Sequence, residues 1–204
     1  MPSIYQLKTR FQSLLRPLVN SLATKKVTAN QVTLAAIGLS GFGGLCMVIG
    51  AQQNWPWLLL PLLLFLRMGL NAIDGMLARE HNMKSRLGAI LNELGDVVSD
   101  SLLYLPFALL TGIWQWLVVV ICLLSVISEM AGLIGIQIGA SRRYDGPMGK
   151  SDRAFVFGTS GFILGLGVVP GNWLNIVFLI TAILLILTIR NRAKSALKEA
   201  GLNG

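Results

Sequence analysis

The chain has 204 residues, of which 54% are hydrophobic and 13% charged, and a mean hydropathy of +0.68. Soluble domains carry about a quarter charged residues, so the composition excludes an ordinary soluble globular protein and points to a membrane protein. The net charge of +8 does not indicate nucleic-acid binding, because the basic residues are scattered over loops beside apolar runs and form no stripe.

Residues 1–26 mix Lys8, Arg10, Arg16, Lys25 and Lys26 with Tyr5, Leu7, Phe11, Leu14, Leu15 and Leu18. That spacing predicts an amphipathic helix on the membrane surface and not a secretory signal, with Pro17 kinking or breaking it. Six stretches then approach the roughly 20 apolar residues of a spanning helix: 31–51, 56–78, 87–111, 113–139, 154–170 and 173–190. A basic tail, 191–204, follows. No linker, repeat or low-complexity tract divides the chain, so one domain is expected. Cys46 and Cys122 each lie in an apolar run without metal spacing and read as small core residues.

Every Lys and Arg except Arg67 lies in the N-terminal arm, the second–third connection, the fourth–fifth connection or the tail, and the three opposite connections have none. The positive-inside rule therefore predicts cytoplasmic termini, with a face suited to anionic lipid head groups and anionic substrates. Trp55, Trp57, Trp114, Trp116 and Trp173 cluster at the other ends of the spans and read as an interface belt.

Several polar residues fall inside the spans. Such a charge costs about 2.5–3.5 kcal/mol at a helix centre on insertion scales, so it usually faces the bundle and marks function. Arg67, Asn71, Asp74 and Ala78 fall at i, i+4, i+7 and i+11, and Gly88, Asn92, Asp96 and Asp100 at successive i+4 steps. Each set forms one helical stripe. Two neighbouring antiparallel helices can face these stripes toward each other, offering the oxygen ligands that a hard divalent cation requires. Mutual hydrogen bonding between the helices is the simpler alternative. Glu129, within the fourth span, should also face the bundle, with Arg67 as its candidate partner.

Residues 71–96 read NAIDGMLAREHNMKSRLGAILNELGD. They resemble the signature of the CDP-alcohol phosphotransferases, D-x2-D-G-x2-A-R-x8-G-x3-D-x3-D, with intact matches at Asp74, Gly75, Ala78, Arg79, Gly88 and Asp96. Thr28-Ala29-Asn30-Gln31-Val32-Thr33 is similar to the family's T-P-N-x-I-T entry to the first span. The resemblance implies an all-α membrane fold of six transmembrane helices plus a surface helix. It further implies residence in the inner membrane with the active site facing the cytoplasm, and a homodimer.

The activity implied is attack of an acceptor hydroxyl on the β-phosphorus of a CDP-alcohol, such as CDP-diacylglycerol, with loss of CMP. Family members hold divalent cations, Mg2+ or alternatively Mn2+, on aspartates, and the last aspartate acts as general base. By this correspondence Asn71, Asp74, Asn92 and Asp96 form the metal shell and Asp96 is the base. Gly75, Ala78, Arg79 and Gly88 meet the nucleotide diphosphate. Arg142, Arg143, Lys150 and Arg153 meet the acceptor.

The first and third aspartates of the pattern are Asn71 and Asn92 here, and an amide oxygen ligates without contributing charge. Asp100, one turn beyond Asp96, is the candidate to compensate. Glu93 projects about 100° away from Asn92 and does not replace it. Glycerol 3-phosphate, glycerol, inositol phosphate, serine and other polyols all remain open as acceptor. A nucleotide- or lipid-binding scaffold without turnover is the alternative that the two asparagines support. A cation or proton pathway would explain the acids but not the Gly/Ala/Arg pattern.

Overall fold

The structure, a computed structural model, describes residues 4–201, with side chains from Arg10 onward. The elements are α1 (Ile4–Thr24), α2 (Ala29–Ile49), α3 (Trp55–Glu80), α4 (Arg86–Tyr104), a short 3₁₀ helix (Leu105–Leu109), α5 (Gln115–Gln137), α6 (Lys150–Gly165) and α7 (Asn172–Glu199). There is no strand among the described residues. The side chains of Tyr5, Leu7 and Lys8, and residues 202–204 of the tail, lie outside the described part.

Helices α2, α3, α5 and α7 have 21, 26, 23 and 28 residues and are apolar enough to cross a membrane. At about 1.5 Å per residue each spans a hydrocarbon core of about 30 Å. Helix α4 has 19 residues, with Arg86, Glu93, Asp96 and Asp100 among them, and α6 has only 16. Charge in the one and length in the other set them apart from those four.

The helix starts are written locally. The Thr28 N–H donates to Gln31 Oε1 at 2.9 Å and the Gln31 N–H to Thr28 Oγ1 at 3.3 Å, a capping box that opens α2. Ser85 Oγ accepts the Gly88 N–H at 2.9 Å and caps α4. At the far end of α4, Pro106 has no N–H to continue the ladder and the chain tightens into the 3₁₀ helix. Pro17 does not break α1, which continues on both sides of it; the break expected from the sequence is absent.

The chain forms two compact units, one made of the residues up to Phe42 with Leu62–Ser99, the other of Gly43–Pro61 with the residues from Asp100 onward. In the first, Val19 of α1, Ala29 and Val32 of α2 and Ile73, Met76 and Leu77 of α3 form a buried cluster. Helix α1 is thus packed into its unit and is more than a surface float. Arg16 adds an ion pair to Glu80 at 3.1 Å. Helix α4 lies close on α2 at Gly95, where a Cβ would stand 2.7 Å from Ile37 Cδ1.

The second unit centres on aromatic rings. Tyr104 stacks on Phe157 with centroids 3.9 Å apart, and Phe107 meets Trp57, Phe157 and Phe178 edge-on. Trp57 is 2% exposed, so it belongs to this core and not to the interface belt, whereas Trp55, Trp114 and Trp116 are exposed. The Trp57 indole N–H donates to the Ala51 carbonyl at 3.0 Å.

Between membrane helices, dispersion contacts and small residues carry association, since lipid is as apolar as leucine. Helices α3 and α6 show this at Gly165, where a Cβ would fall 2.5 Å from Leu58 Cγ and 2.7 Å from the Leu58 nitrogen. Gly165→Ala should therefore destabilise the protein by about 1–3 kcal/mol through overpacking. Gly38→Ala, where a Cβ meets nothing within 4 Å, should not. Thermal unfolding of the two variants in detergent checks the contrast; equal melting temperatures would show that the α3–α6 contact is not so tight.

Candidate active site

Within the first unit the two polar stripes meet. Asn71 Nδ2 on α3 donates to Asp96 Oδ1 on α4 at 3.1 Å. Arg67, one turn before Asn71 and 4% exposed, brings its guanidinium to the Asp96 carbonyl at 3.1 Å and to its carboxylate at 3.5 Å. Beside this contact lies a cavity of about 780 Å³. Asn71, Asp74 and Asn92 contribute to its wall together with Gly75, Ala78, Arg79 and Gly88. Seven positions singled out by the sequence pattern thus line one space. Asp96 is not among the lining residues and joins them through Asn71.

Small residues at two of these positions have specific neighbours. A Cβ on Gly75 would stand 3.1 Å from Arg79 Nη1 and 3.2 Å from Nη2. The absent side chain therefore lets the guanidinium, one turn on, fold back along α3. A Cβ on Gly88 would stand 2.6 Å from Asn30 Oδ1, so glycine there admits the start of α2. Asn30 and Thr33 of α2 also line the cavity, and the Thr33 hydroxyl donates to Asp74 Oδ2 at 2.7 Å. Thr33 was legible only as the last residue of the helix-entry motif. Its position five residues after the Thr28 cap, on the inner face of α2, is the signal that places it.

The donor set is chemically suited to a hard divalent cation, since Asn71, Asp74, Asn92 and Asp96 all offer side-chain oxygens. It is poor in charge. Among the described residues no group of three or more His, Cys, Asp or Glu side chains converges as a metal site. Arg67 places a further positive charge against Asp96. Asp100 is 3% exposed and lies in the second unit, where its Oδ2 accepts Arg153 Nη2 at 2.9 Å and Nε at 3.3 Å. The carboxylate that the sequence put forward as a compensating metal ligand is thus also an ion-pair partner of Arg153.

The basic residues of the α5–α6 loop also lie in the second unit. Arg153 is 1% exposed and reaches Glu129 at 3.1 Å as well as Asp100. Glu129 further pairs with Arg192 at 3.4 Å and Arg142 at 3.7 Å. It does not pair with Arg67, contrary to expectation, since its partners are these three arginines. Arg143 turns to Asp145 and Glu199. Its hydrogen bond holds the Asp145 carboxyl below the usual carboxylate range. Lys150, half-buried, is the first residue of α6. Gly146, at φ +123°, brings the loop against α7, where a Cβ would stand 2.7 Å from Thr188.

Arg192 was counted with the solvated tail, yet it is 2% exposed because α7 continues to Glu199. The absence of Gly and Pro from residues 173–200 is the signal for that continuation.

Comparison with known proteins identifies the family. The family model for CDP-alcohol phosphatidyltransferase matches residues 26–190. Inner membrane protein YnbA of Escherichia coli is 48% identical over 195 residues, covering 96% of each chain. An uncharacterized protein of Aquifex aeolicus is 38% identical over 52% of this chain and 50% of its own. Among solved structures, the phosphatidylinositol phosphate synthase (PgsA1) of Mycobacterium tuberculosis with CDP-DAG bound superposes with a TM-score of 0.76. The two share 18% identity, and the match covers 91% of this chain and 94% of that one. The same enzyme in complex with manganese and citrate gives a TM-score of 0.72 at 18% identity, covering 88% and 87%. The residues lining the cavity and the extent of the match lead to one conclusion: this multi-pass membrane protein belongs to the CDP-alcohol phosphatidyltransferase family, whose members transfer phosphate-containing groups.

Proposed function

We propose that the protein transfers a phosphatidyl group from CDP-diacylglycerol to a small polar alcohol, releasing CMP, in phospholipid synthesis at the cytoplasmic face of the inner membrane. The observation that carries this reading is the convergence of Asn71, Asp74 and Asn92 with Gly75, Ala78, Arg79 and Gly88 on one cavity. Six transmembrane helices, α2 to α7, carry the site. Both termini are cytoplasmic, as the one-sided distribution of Lys and Arg requires. The working unit is a homodimer, an assignment that rests on the resemblance of the signature region.

In this reading the diphosphate lies along α3, where Gly75, Ala78 and Gly88 leave room and the Arg79 guanidinium meets a phosphate oxygen. Asn71, Asp74, Asn92 and Asp96 would hold a divalent cation, Mg2+ or Mn2+, which when bound withdraws charge from the diphosphate. Asp96 takes the proton of the acceptor hydroxyl. The hydroxyl oxygen forms its bond to the β-phosphorus as the bond from that phosphorus to the bridging oxygen breaks, and CMP leaves. Arg67 and Asn71 hold the Asp96 carboxylate in position for this step, Arg67 also through the Asp96 carbonyl. Arg142, Lys150 and Arg153 meet the acceptor, while Arg143 steadies their loop through Asp145 and Glu199.

A second reading, a nucleotide-binding scaffold without turnover, draws on the direct Asn71–Asp96 hydrogen bond, which occupies the proposed base. The two readings separate on CMP release from CDP-diacylglycerol by purified protein, screened against a panel of alcohols.

Asp96→Asn should lower that release by about 10²–10⁴-fold, the usual loss on removing a general base, in protein that still folds but melts lower, because the buried Arg67 loses its carboxylate partner. A variant that keeps a tenth of the turnover would remove Asp96 from the role. The combined substitution of Asn71→Asp and Asn92→Asp adds two carboxylates to the donor set and should tighten Mn2+ binding at least tenfold by calorimetry. Unchanged affinity would take these positions out of the metal shell. For orientation, Lys84→Cys should be labelled from the cytoplasmic side and Gln53→Cys from the other, in a background with Cys46 and Cys122 replaced by Ala; the opposite pattern would invert the assignment.

A further inference from the structure

Beyond the signature positions, the cavity of the first unit is bordered by the turn that joins α3 to α4 and by the first residue of α4. Lys84 and Arg86 are among its lining residues, as is Arg79 of α3. Both neighbours of Lys84 in this turn are anchored. Met83 packs against the buried cluster of α1, α2 and α3, and Ser85 accepts the Gly88 N–H at 2.9 Å. Lys84 is therefore kept beside the cavity although its side chain is exposed. Among the described residues, no ion pair or side-chain hydrogen bond engages Lys84 or Arg86. Glu80, the nearest acid in sequence, is taken by Arg16 at 3.1 Å. Helix stability does not account for Arg86 either, since it opens α4, where the helix dipole disfavours a positive side chain. Two unpaired cations thus border a space of about 780 Å³.

We propose that Lys84 and Arg86 hold the phosphate groups of the donor nucleotide together with Arg79, so that a nucleoside diphosphate binds this site without a divalent cation. This rests on the transferase reading above and names the residues that bind its donor. Asn71 and Asn92 contribute no charge to hold a cation, whereas Lys84, Arg86 and Arg79 carry theirs on the chain itself. Charge-assisted hydrogen bonds to phosphate oxygens are about twice as strong as neutral ones. The guanidiniums of Arg79 and Arg86 offer paired donors, and Lys84 adds a compact charge between them in sequence. Because the two turn residues are exposed, their contribution is screened by salt.

The test is calorimetry of CDP binding to the full-length protein in detergent, with EDTA present. Wild type should bind CDP under these conditions, with an affinity that falls as potassium chloride is raised. The combined substitution of Lys84→Met and Arg86→Met should weaken binding at least tenfold and flatten the salt dependence, at an unchanged melting temperature. Exchanging the two side chains, Lys84→Arg with Arg86→Lys, keeps both charges and should bind within threefold of wild type. Lys25→Met, which removes an exposed cation that does not line the cavity, should leave CDP binding as it is. Wild-type protein that binds CDP only when Mn2+ is added overturns the proposal. So does a double Met variant that binds as wild type does, or an exchange variant as weak as the Met one, which would make the role one of shape. The transferase reading fails separately. CDP binding with no CMP release from CDP-diacylglycerol for any alcohol sinks that reading and leaves Lys84 and Arg86 as nucleotide-binding residues, whereas CMP release with CDP binding indifferent to both residues sinks this proposal alone.

Discussion

Charges placed inside a bundle of membrane helices must be compensated by other charges or dipoles within it, and this requirement organises the polar interior here. An isolated ion in such surroundings is expensive, and removing one partner of a buried pair typically costs about 3–5 kcal/mol. In the first unit Arg67 answers Asp96, and Asn71 also donates to its carboxylate. In the second unit Arg153 answers Asp100 and Glu129, and Arg192 and Arg142 share the latter. Apart from Arg142, which lies in the α5–α6 loop, the partners come from different helices. Each pairing therefore also specifies which helix faces lie inward, something that apolar packing in lipid does weakly.

The cavity depends on residues that serve architecture and site at once. Ser85 caps α4 through the Gly88 N–H, and the missing side chain of Gly88 admits Asn30 at the start of α2. Thr28 and Gln31 open α2 one turn from the same place. Two helix starts are thereby brought together at the mouth of the space that Asp74, Gly75 and Arg79 line. Gly75 leaves room for the Arg79 guanidinium beside α3.

Replacing two carboxylates by Asn71 and Asn92 changes the electrostatics more than the shape. The amides keep oxygen donors in place but contribute no charge. Arg67 shifts the balance further in the same direction. The interior beside Asp74 and Asp96 is less acidic than four carboxylates would make it, and in the second unit the Glu129 carboxylate offsets part of the positive charge of its arginines.

The sequence by itself determined the membrane class, the apolar helices and the polar stripes, because all of these are local. Hydropathy over about 20 residues and a 3.6-residue period are read without knowing any neighbour. Seven residues of the signature region were legible as one site for the same reason, since they lie on two consecutive helices joined by a short turn. The tertiary structure alone decided the partners of the long charged side chains. Glu129 was assigned to Arg67, whereas its partners are arginines distant in the chain; Asp100, read as a metal ligand, also pairs with Arg153; and Arg192 and Trp57 are core residues at positions that composition reads as tail and belt. Which of several arginines reaches a carboxylate depends on helix rotation and rotamer, quantities that sequence spacing does not contain.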